Sequence, residues 1–206
     1  MKMFCILIAG LPAAGKSTMA AELSRRLALP VFAKDDIKEV LFDTLGFTSR
    51  AEKVRLGQAA AAILNDCAVR LMKLGKPFML ENNFEDAARA PLMSLLEQYG
   101  YTGITLVLTG DRRKLYQRFC LRNISPQRHR GHVVNDRYPE AVPRTTEELR
   151  AATLSYEDYC RGIDRRGMER FCANGPCLRI DTTEFDAVDM DAVEAWIRAK
   201  AADLNE

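Results

Sequence analysis

The chain has 206 residues, 28% of them charged and 48% hydrophobic, with a formal net charge of +2. That length can bury one substantial core, and the composition excludes a disordered or fibrous chain and a membrane span. No Pro/Gly/Ser-rich linker divides it, so one domain is expected over residues 1–206.

The first element is an unbroken apolar run, Met3 to Ala9, which predicts a strand buried on both faces. Gly10, Leu11, Pro12, Ala13, Ala14, Gly15, Lys16, Ser17 and Thr18 follow it, a Gly-x-x-x-x-Gly-Lys-Ser loop. Met19, Leu23 and Leu27 then repeat on one face of a helix. Backbone N–H groups can curl around a phosphate only where glycine leaves the turn open, and Gly10 and Gly15 stand at those places. Lys16 opens the helix, so its ammonium and the positive helix terminus converge on the same phosphates, while the Ser17 hydroxyl can ligate magnesium. Met1 to Ala14 has the lysine, apolar stretch and small residues of a secretory leader, but the loop overlaps the cleavage position, so a cytoplasmic location is expected.

A second strand is expected at Val31–Ala33, followed by Lys34, Asp35 and Asp36. In a parallel sheet the residues just beyond each strand face the ligand, so they are the informative ones. Asp36-x-x-Glu39 reads as a capping box for a helix over Asp36–Leu45. Asp35 has no such structural use and can accept the proton of an attacking hydroxyl. A longer helix carries Val54, Ala61, Leu64, Ala68 and Leu71 and ends at Gly75.

The third strand, Pro77–Glu81, ends in a carboxylate placed to bind magnesium through water. Asn82 and Asn83 after it can hydrogen-bond a polar substrate, and Phe84 reads as either a pocket wall or core. Helix Pro91–Tyr99 leads to the fourth strand, Gly103–Thr109. From Asp111 to Arg144 the chain carries nine Lys/Arg against three Asp/Glu, so the positive charge of the protein is local to this stretch. A helix over Asp111–Arg122 presents Arg118 and Arg122 on one face, with Arg128 and Arg130 in the loop beyond. Planar guanidinium donors match phosphate oxygens, so residues of about 112–145 read as a lid, its Asn123–Thr145 part mobile until nucleotide binds. His129 and His132 read as substrate or lid contacts or as incidental turn residues, since a metal site would need further ligands there. Helix Thr146–Arg161, a fifth strand Cys177–Asp181, a Thr182-Thr183 turn able to bracket a base, and helix Val188–Ala201 complete the chain. Cys5, Cys67, Cys120 and Cys160 read as reduced thiols, and the spacing of Cys172 and Cys177, which alone would suit half a metal site, finds no second Cys/His pair to complete one. Alternating strands and helices imply an α/β protein with a doubly wound, five-stranded, mostly parallel sheet.

The loop Gly10–Thr18, Lys34-Asp35-Asp36, Asn83, Arg118/Arg122, Arg128-His129-Arg130-Gly131-His132 and Asp181-Thr182-Thr183 together resemble a family of P-loop kinases. That family includes polynucleotide 5'-hydroxyl kinase, chloramphenicol phosphotransferase and zeta-type toxins. The resemblance spans most of the chain. It implies the P-loop NTPase fold with helices on both faces of the sheet and an arginine-rich lid. It also implies that Asp35 activates an acceptor hydroxyl and that Arg122 reaches the ATP phosphates from the lid. Glu81 stands where the family often has aspartate, and Lys38 where polynucleotide kinases carry an arginine that helps hold the acceptor phosphate. The Lys38 departure turns the reading away from nucleic acid.

The function expected is an ATP-dependent, magnesium-requiring kinase acting on a hydroxyl of a small molecule. In it Lys16, Asp35 and Arg122 are catalytic, and Gly10–Thr18, Arg118, Arg122 and Thr182 bind nucleotide. Ser17 and Glu81 hold magnesium, and Asp35, Asn83, Arg128 and Arg130 meet the acceptor. A polynucleotide kinase and a non-catalytic nucleotide switch are the alternatives.

Overall fold

In the computed structural model, which describes residues 3–204, the apolar run is β1 (Met3–Gly10) and the helix after the phosphate loop is α1 (Lys16–Leu27). The ends of the domain expected over 1–206, with the Met1 end of the leader-like stretch, lie outside the described residues. There follow β2 (Val31–Ala33), α2 (Lys34–Leu45), α3 (Arg50–Lys73), β3 (Phe78–Glu81), α4 (Asp86–Tyr99) and β4 (Tyr101–Thr109). Next come α5 (Arg112–Ile124), α6 (Arg130–Val133), α7 (Thr146–Ala151), α8 (Tyr156–Arg166), β5 (Cys177–Asp181) and α9 (Met190–Asp203).

The strands form one sheet in the order β2-β3-β1-β4-β5, and every pairing is parallel. β1 is central, and its alternation feeds both faces. Ile6 and Ile8 pack with Met19, Leu23, Leu115, Tyr159 and Ile197 of α1, α5, α8 and α9. Cys5, Leu7 and Ala9 pack with Leu64, Ala68 and Met72 of α3 and Leu92 and Leu96 of α4. With helices on both faces neither side of β1 meets water, which is why it reads as a continuous apolar run. The chain passes from β1 out to β2, returns to β3, and continues on the other side of β1 as β4. The carboxyl ends of β1 and β3 are therefore brought side by side beneath the phosphate loop, where such sheets bind ligands.

Several expectations are corrected. Asp36 is not an N-cap: α2 begins at Lys34, with Ala33 as the capping residue and no side-chain cap bond. The helix expected over Thr146–Arg161 is two helices. Ser155 accepts a hydrogen bond from Asp158 N and starts α8, a cap signal hidden inside an apparently helical pattern. α4 starts at Asp86 and contains Pro91 rather than beginning there. The buried side of α3 runs through Lys53, Ala60, Leu64, Ala68 and Met72, leaving Val54 exposed. Phe84 is core, stacked on Phe171 with ring centroids 4.8 Å apart. Cys172 and Cys177 form a disulfide rather than part of a metal site, their Cα atoms 5.9 Å apart; Cys5, Cys67, Cys120 and Cys160 are free. Among the described residues no helix is long and apolar enough to cross a membrane.

The basic segment beyond α5 has a packed anchor. Phe42 of α2, Phe47 and Val134 form a third apolar cluster, joined by Leu56 and Tyr138. Phe47 and Tyr138 also exchange backbone hydrogen bonds at 2.8 Å each.

Candidate active site

The phosphate loop leaves β1 at Gly10, whose φ is +123°. A methyl there would overlap the Leu108 carbonyl, so the loop can lie this close to β4 only without a side chain. Leu11 N donates to Leu108 O at 3.0 Å. Gly15, at φ +84°, closes the loop against the ring of Phe185. Tyr159 of α8 donates its hydroxyl to Pro12 O at 2.9 Å, bracing the loop from the other side. α1 then starts at Lys16 with no side-chain cap, which leaves its first-turn N–H groups facing the loop.

Lys16 is 7% exposed. Its Nζ donates to Gly10 O at 3.1 Å and Leu11 O at 2.7 Å. Burial pulls its ammonium down to about 8, against the opposing pull of the Glu81 carboxylate. Ser17 donates its hydroxyl to Glu81 Oε2 at 3.1 Å, so the loop serine and the end of β3 meet as the sequence predicts. Burial pushes the Glu81 carboxyl up, with Lys16 opposing. An oxygen pair of this kind, hydroxyl plus carboxylate, is the hard donor set magnesium takes.

A cavity of about 750 Å³ opens from the loop. Pro12, Ala13, Gly15, Lys16, Ser17 and Thr18 line its floor. Asp35, Glu81, Asn83, Arg118, Arg122 and Arg128 line its walls, so most of the residues singled out in the sequence share one space. Gly10, Leu11 and Ala14 do not line it; Leu11 and Ala14 are fully buried beneath the loop. Thr182 and Arg130 also stand off it. The Thr182 hydroxyl donates to Thr109 O at 2.8 Å, tying β5 to β4, and Arg130 Nε donates to Glu140 at 2.9 Å.

Asp35 sits in the first turn of α2. Burial pushes its carboxyl up, but the cations around it, Lys38, Arg128 and Lys16, hold it below its ordinary value. Arg128 Nη2 is 3.5 Å from Asp35 Oδ2. Arg118 is fixed by donating to Thr182 O at 2.7 Å and Thr183 O at 2.6 Å. Arg122 and Arg128 differ from it. Each has a buried Nε with no hydrogen-bond partner among the described residues. A buried guanidinium N–H without an acceptor is costly, so two of them beside a phosphate loop fit phosphate oxygens as their partners.

The side chains around the histidines carried little sequence signal. His129 Nδ1 accepts from Gly131 N at 3.0 Å, and its Nε2 is 3.0 Å from Asp43 Oδ1. His132 is buried, with Nε2 2.9 Å from Glu39 Oε1 and Nδ1 4.0 Å from Asp35 Oδ1. Burial pulls His132 down to about 3, with Asp35 opposing and Arg128 and Lys38 adding to the effect, so the imidazole is neutral beside an ionised Asp35. Burial raises Glu39, against His129 and Arg128. Lys53 of α3, missed in the sequence, donates to His132 O at 2.8 Å, Val134 O at 2.5 Å and Asn135 Oδ1 at 3.1 Å. The one available signal was its place on the buried stripe of a long helix, which a lysine takes only when it has partners.

The sequence profile of a family described as AAA domain matches residues 5–149. No curated protein matches the chain in sequence. Among solved structures it is similar to a provisionally designated kinase from Chloroflexus aurantiacus J-10-fl, with 24% identity, 98% of this chain and 97% of that one covered, and a TM-score of 0.72. It is also similar to shikimate kinase from Bacteroides thetaiotaomicron, with 15% identity, coverage of 96% and 97%, and a TM-score of 0.51. A sugar kinase from Janibacter sp. HTCC2649 shares 11% identity, with coverage of 97% and 95% and a TM-score of 0.50. At these identities what is shared is the fold, the α/β fold of P-loop kinases that the motifs implied.

Proposed function

The chain belongs to the AAA-domain family, and from that premise we propose that it is an ATP- and magnesium-dependent phosphotransferase acting on a hydroxyl of a small molecule. The observation that carries this reading is the convergence of Lys16, Asp35 and the two unpartnered guanidinium Nε atoms of Arg122 and Arg128 on one cavity.

Phosphoryl transfer leaves the protein little covalent work; it must position the two oxygens and stabilise charge on the moving group. The loop N–H groups and Lys16 bind the β- and γ-phosphates, for which the ammonium turns from the Gly10 and Leu11 carbonyls. Ser17 and Glu81 would hold magnesium, which would supply neutralisation of the phosphate charge. Arg122 and Arg128 direct their free Nε–H groups at the γ-phosphoryl oxygens. Asp35 accepts a hydrogen bond from the acceptor hydroxyl and turns its lone pair toward phosphorus. Asn83 offers neutral hydrogen bonds to the rest of the acceptor.

Two structural relatives bear the names shikimate kinase and sugar kinase, which supports a small acceptor. A polynucleotide acceptor would use aromatic platforms along its path. Phe119 is the one Phe, Tyr or Trp among the described residues that line the cavity. The test is acceptor-dependent ADP release from Mg-ATP across a panel of sugars, nucleosides and hydroxylated antibiotics. Lys16→Ala is expected to lower the rate by about a hundredfold or more, on the order of 3 kcal/mol, with an unchanged circular dichroism spectrum. Nucleotide binding with no acceptor-stimulated turnover would make the protein a switch instead.

A further inference from the structure

The mechanism above uses Arg128 but leaves its neighbour His132 without a task, although that side chain is 6% exposed and held between two carboxylates. Asp35 and Glu39 are one turn apart on α2 and so share a face. We propose that Glu39 and His132 form a carboxylate–imidazole dyad whose free ring nitrogen, Nδ1, takes the proton of the attacking hydroxyl. The assignment rests on the phosphotransferase reading of the same cavity.

Geometry fixes the roles of the two ring nitrogens. Nε2 lies 2.9 Å from Glu39 Oε1, and since a carboxylate only accepts, Nε2 carries the ring hydrogen and Nδ1 keeps its lone pair. Nδ1 is 4.0 Å from Asp35 Oδ1, too far for a direct hydrogen bond and wide enough for one oxygen to sit against both. The same division of labour runs catalytic triads: a carboxylate orients one nitrogen and the other serves as base. The Phe42 ring packs edge-on against the imidazole, centroids 5.6 Å apart, and Lys53 holds the His132 carbonyl at 2.8 Å. The ring is thus fixed from α2 and α3 together.

The groups facing the imidazole are Asp35, Lys38 and Glu39 of α2, Arg128 and His129 of its own segment, and Lys53 of α3. Burial above all, then Arg128, Lys38 and His129, disfavour an imidazolium; Asp35 and Glu39 favour it. Phosphate oxygens placed against Arg128 offset its charge, so the ring becomes a stronger base once nucleotide is bound. In the transfer, the acceptor oxygen bonds to the γ-phosphorus while the bond from phosphorus to the ADP oxygen breaks, its electron pair leaving with ADP. The acceptor O–H bond breaks with its proton shared between Asp35 Oδ1 and Nδ1 and ending on Nδ1. The resulting imidazolium lies between Glu39 and Asp35 and loses its proton to solvent as products leave.

The test uses the full chain with Mg-ATP and, as acceptor, the panel compound that stimulates ADP release or else water, following ADP release against pH, with mant-ATP binding and melting temperature measured on each variant. His132→Ala and His132→Gln are both expected to lose about a hundredfold in kcat with KM for ATP unchanged, and to change the acid limb of the pH profile, which Asp35 alone then sets. Added imidazole is expected to restore His132→Ala in part, because it supplies the missing base. Glu39→Gln is expected to lose less and to move the acid limb to lower pH, since the imidazolium loses a countercharge. Rates within twofold of wild type, or losses that imidazole does not relieve and that leave the pH profile unchanged, overturn the dyad and make His132 a packing residue. A wild-type chain that fails to bind mant-ATP, or that turns over with neither water nor any acceptor of the panel, overturns the phosphotransferase reading, and the dyad falls with it.

Discussion

Asp35 and Asp36 are adjacent in the first turn of α2, and chemistry separates them. Asp35 faces Arg128 at 3.5 Å and is held low by cations, whereas burial, then the Asp35 charge, pushes Asp36 up. Neither side chain caps α2. Asp35→Asn keeps the shape but removes the charge that orients the hydroxyl, so acceptor phosphorylation should fall by about a hundredfold while mant-ATP affinity changes little. Asp36→Asn should cost less than about tenfold. Steady-state kinetics on the two variants decides between them, and a loss confined to Asp36 would reverse their roles. At this scale the sequence points to Lys16, Ser17, Asp35 and Glu81, which line one cavity, because Glu81 ends β3, Asp35 follows β2 and the loop after β1 leads into Lys16 and Ser17. Glu39 was legible only as a cap candidate; its partner His132 is 93 positions away and no local pattern joins them.

At the scale of elements, the loop is held by one strand and one helix: Leu11 N on Leu108 O of β4, and Tyr159 of α8 on Pro12 O. Tyr159 is 3% exposed, and burial raises its phenol above the ordinary value, so the hydroxyl stays protonated and donates. Tyr159→Phe removes the bond but not the packing. It should lower stability by about 1 kcal/mol, read by urea unfolding, and weaken Mg-ATP binding because the loop is no longer fixed from α8. Unchanged binding would mean the loop is set by Gly10 and Gly15 alone. All five strands were found in the sequence to within a few residues, since apolar runs bounded by turn residues are local signals. The split between α7 and α8 escaped because Ser155 reads as an ordinary helical position until its side chain is seen bonded to Asp158 N.

Over the whole molecule, the arginine-rich segment is tied down by ion pairs and by Lys53. Arg130 pairs with Glu140 and Arg144 with Asp136, so only part of its charge is left for the cavity. Lys53 is 4% exposed, and burial, with Lys38 and Arg50 adding, pulls its ammonium from 10.5 down to about 7. Between these values the unfolded chain holds a proton that the folded chain has lost. Stability from this group therefore rises with pH across that window, by up to about 1.4 kcal/mol per unit, and is lost as pH falls through 10.5 toward 7. Comparing unfolding free energies at about pH 7 and about pH 9, wild type should gain more than Lys53→Met. Equal gains would locate the titration elsewhere. The same variant frees the segment from α3, so trypsin should cut faster after arginines between Arg122 and Arg144. Mg-ATP should slow that cutting in wild type; equal cleavage with and without it would mean the segment is no phosphate lid.

By itself the sequence determined the α/β architecture, the phosphate loop and the residues that follow the strands. Those depend on short-range periodicity and on backbone conformations that glycine alone adopts easily. Only the tertiary structure decided how α2, α3 and the basic segment meet: that Lys53 holds the segment, that His132 lies between Asp35 and Glu39, and that Arg122 and Arg128 each bury an Nε without a partner among the described residues while Arg118 is held by the Thr182 and Thr183 carbonyls and Arg130 by Glu140. The reason is range. Charges and hydrogen bonds between residues far apart in the chain leave no trace in local spacing, and burial, which sets both their partners and their protonation, exists only once the elements have packed.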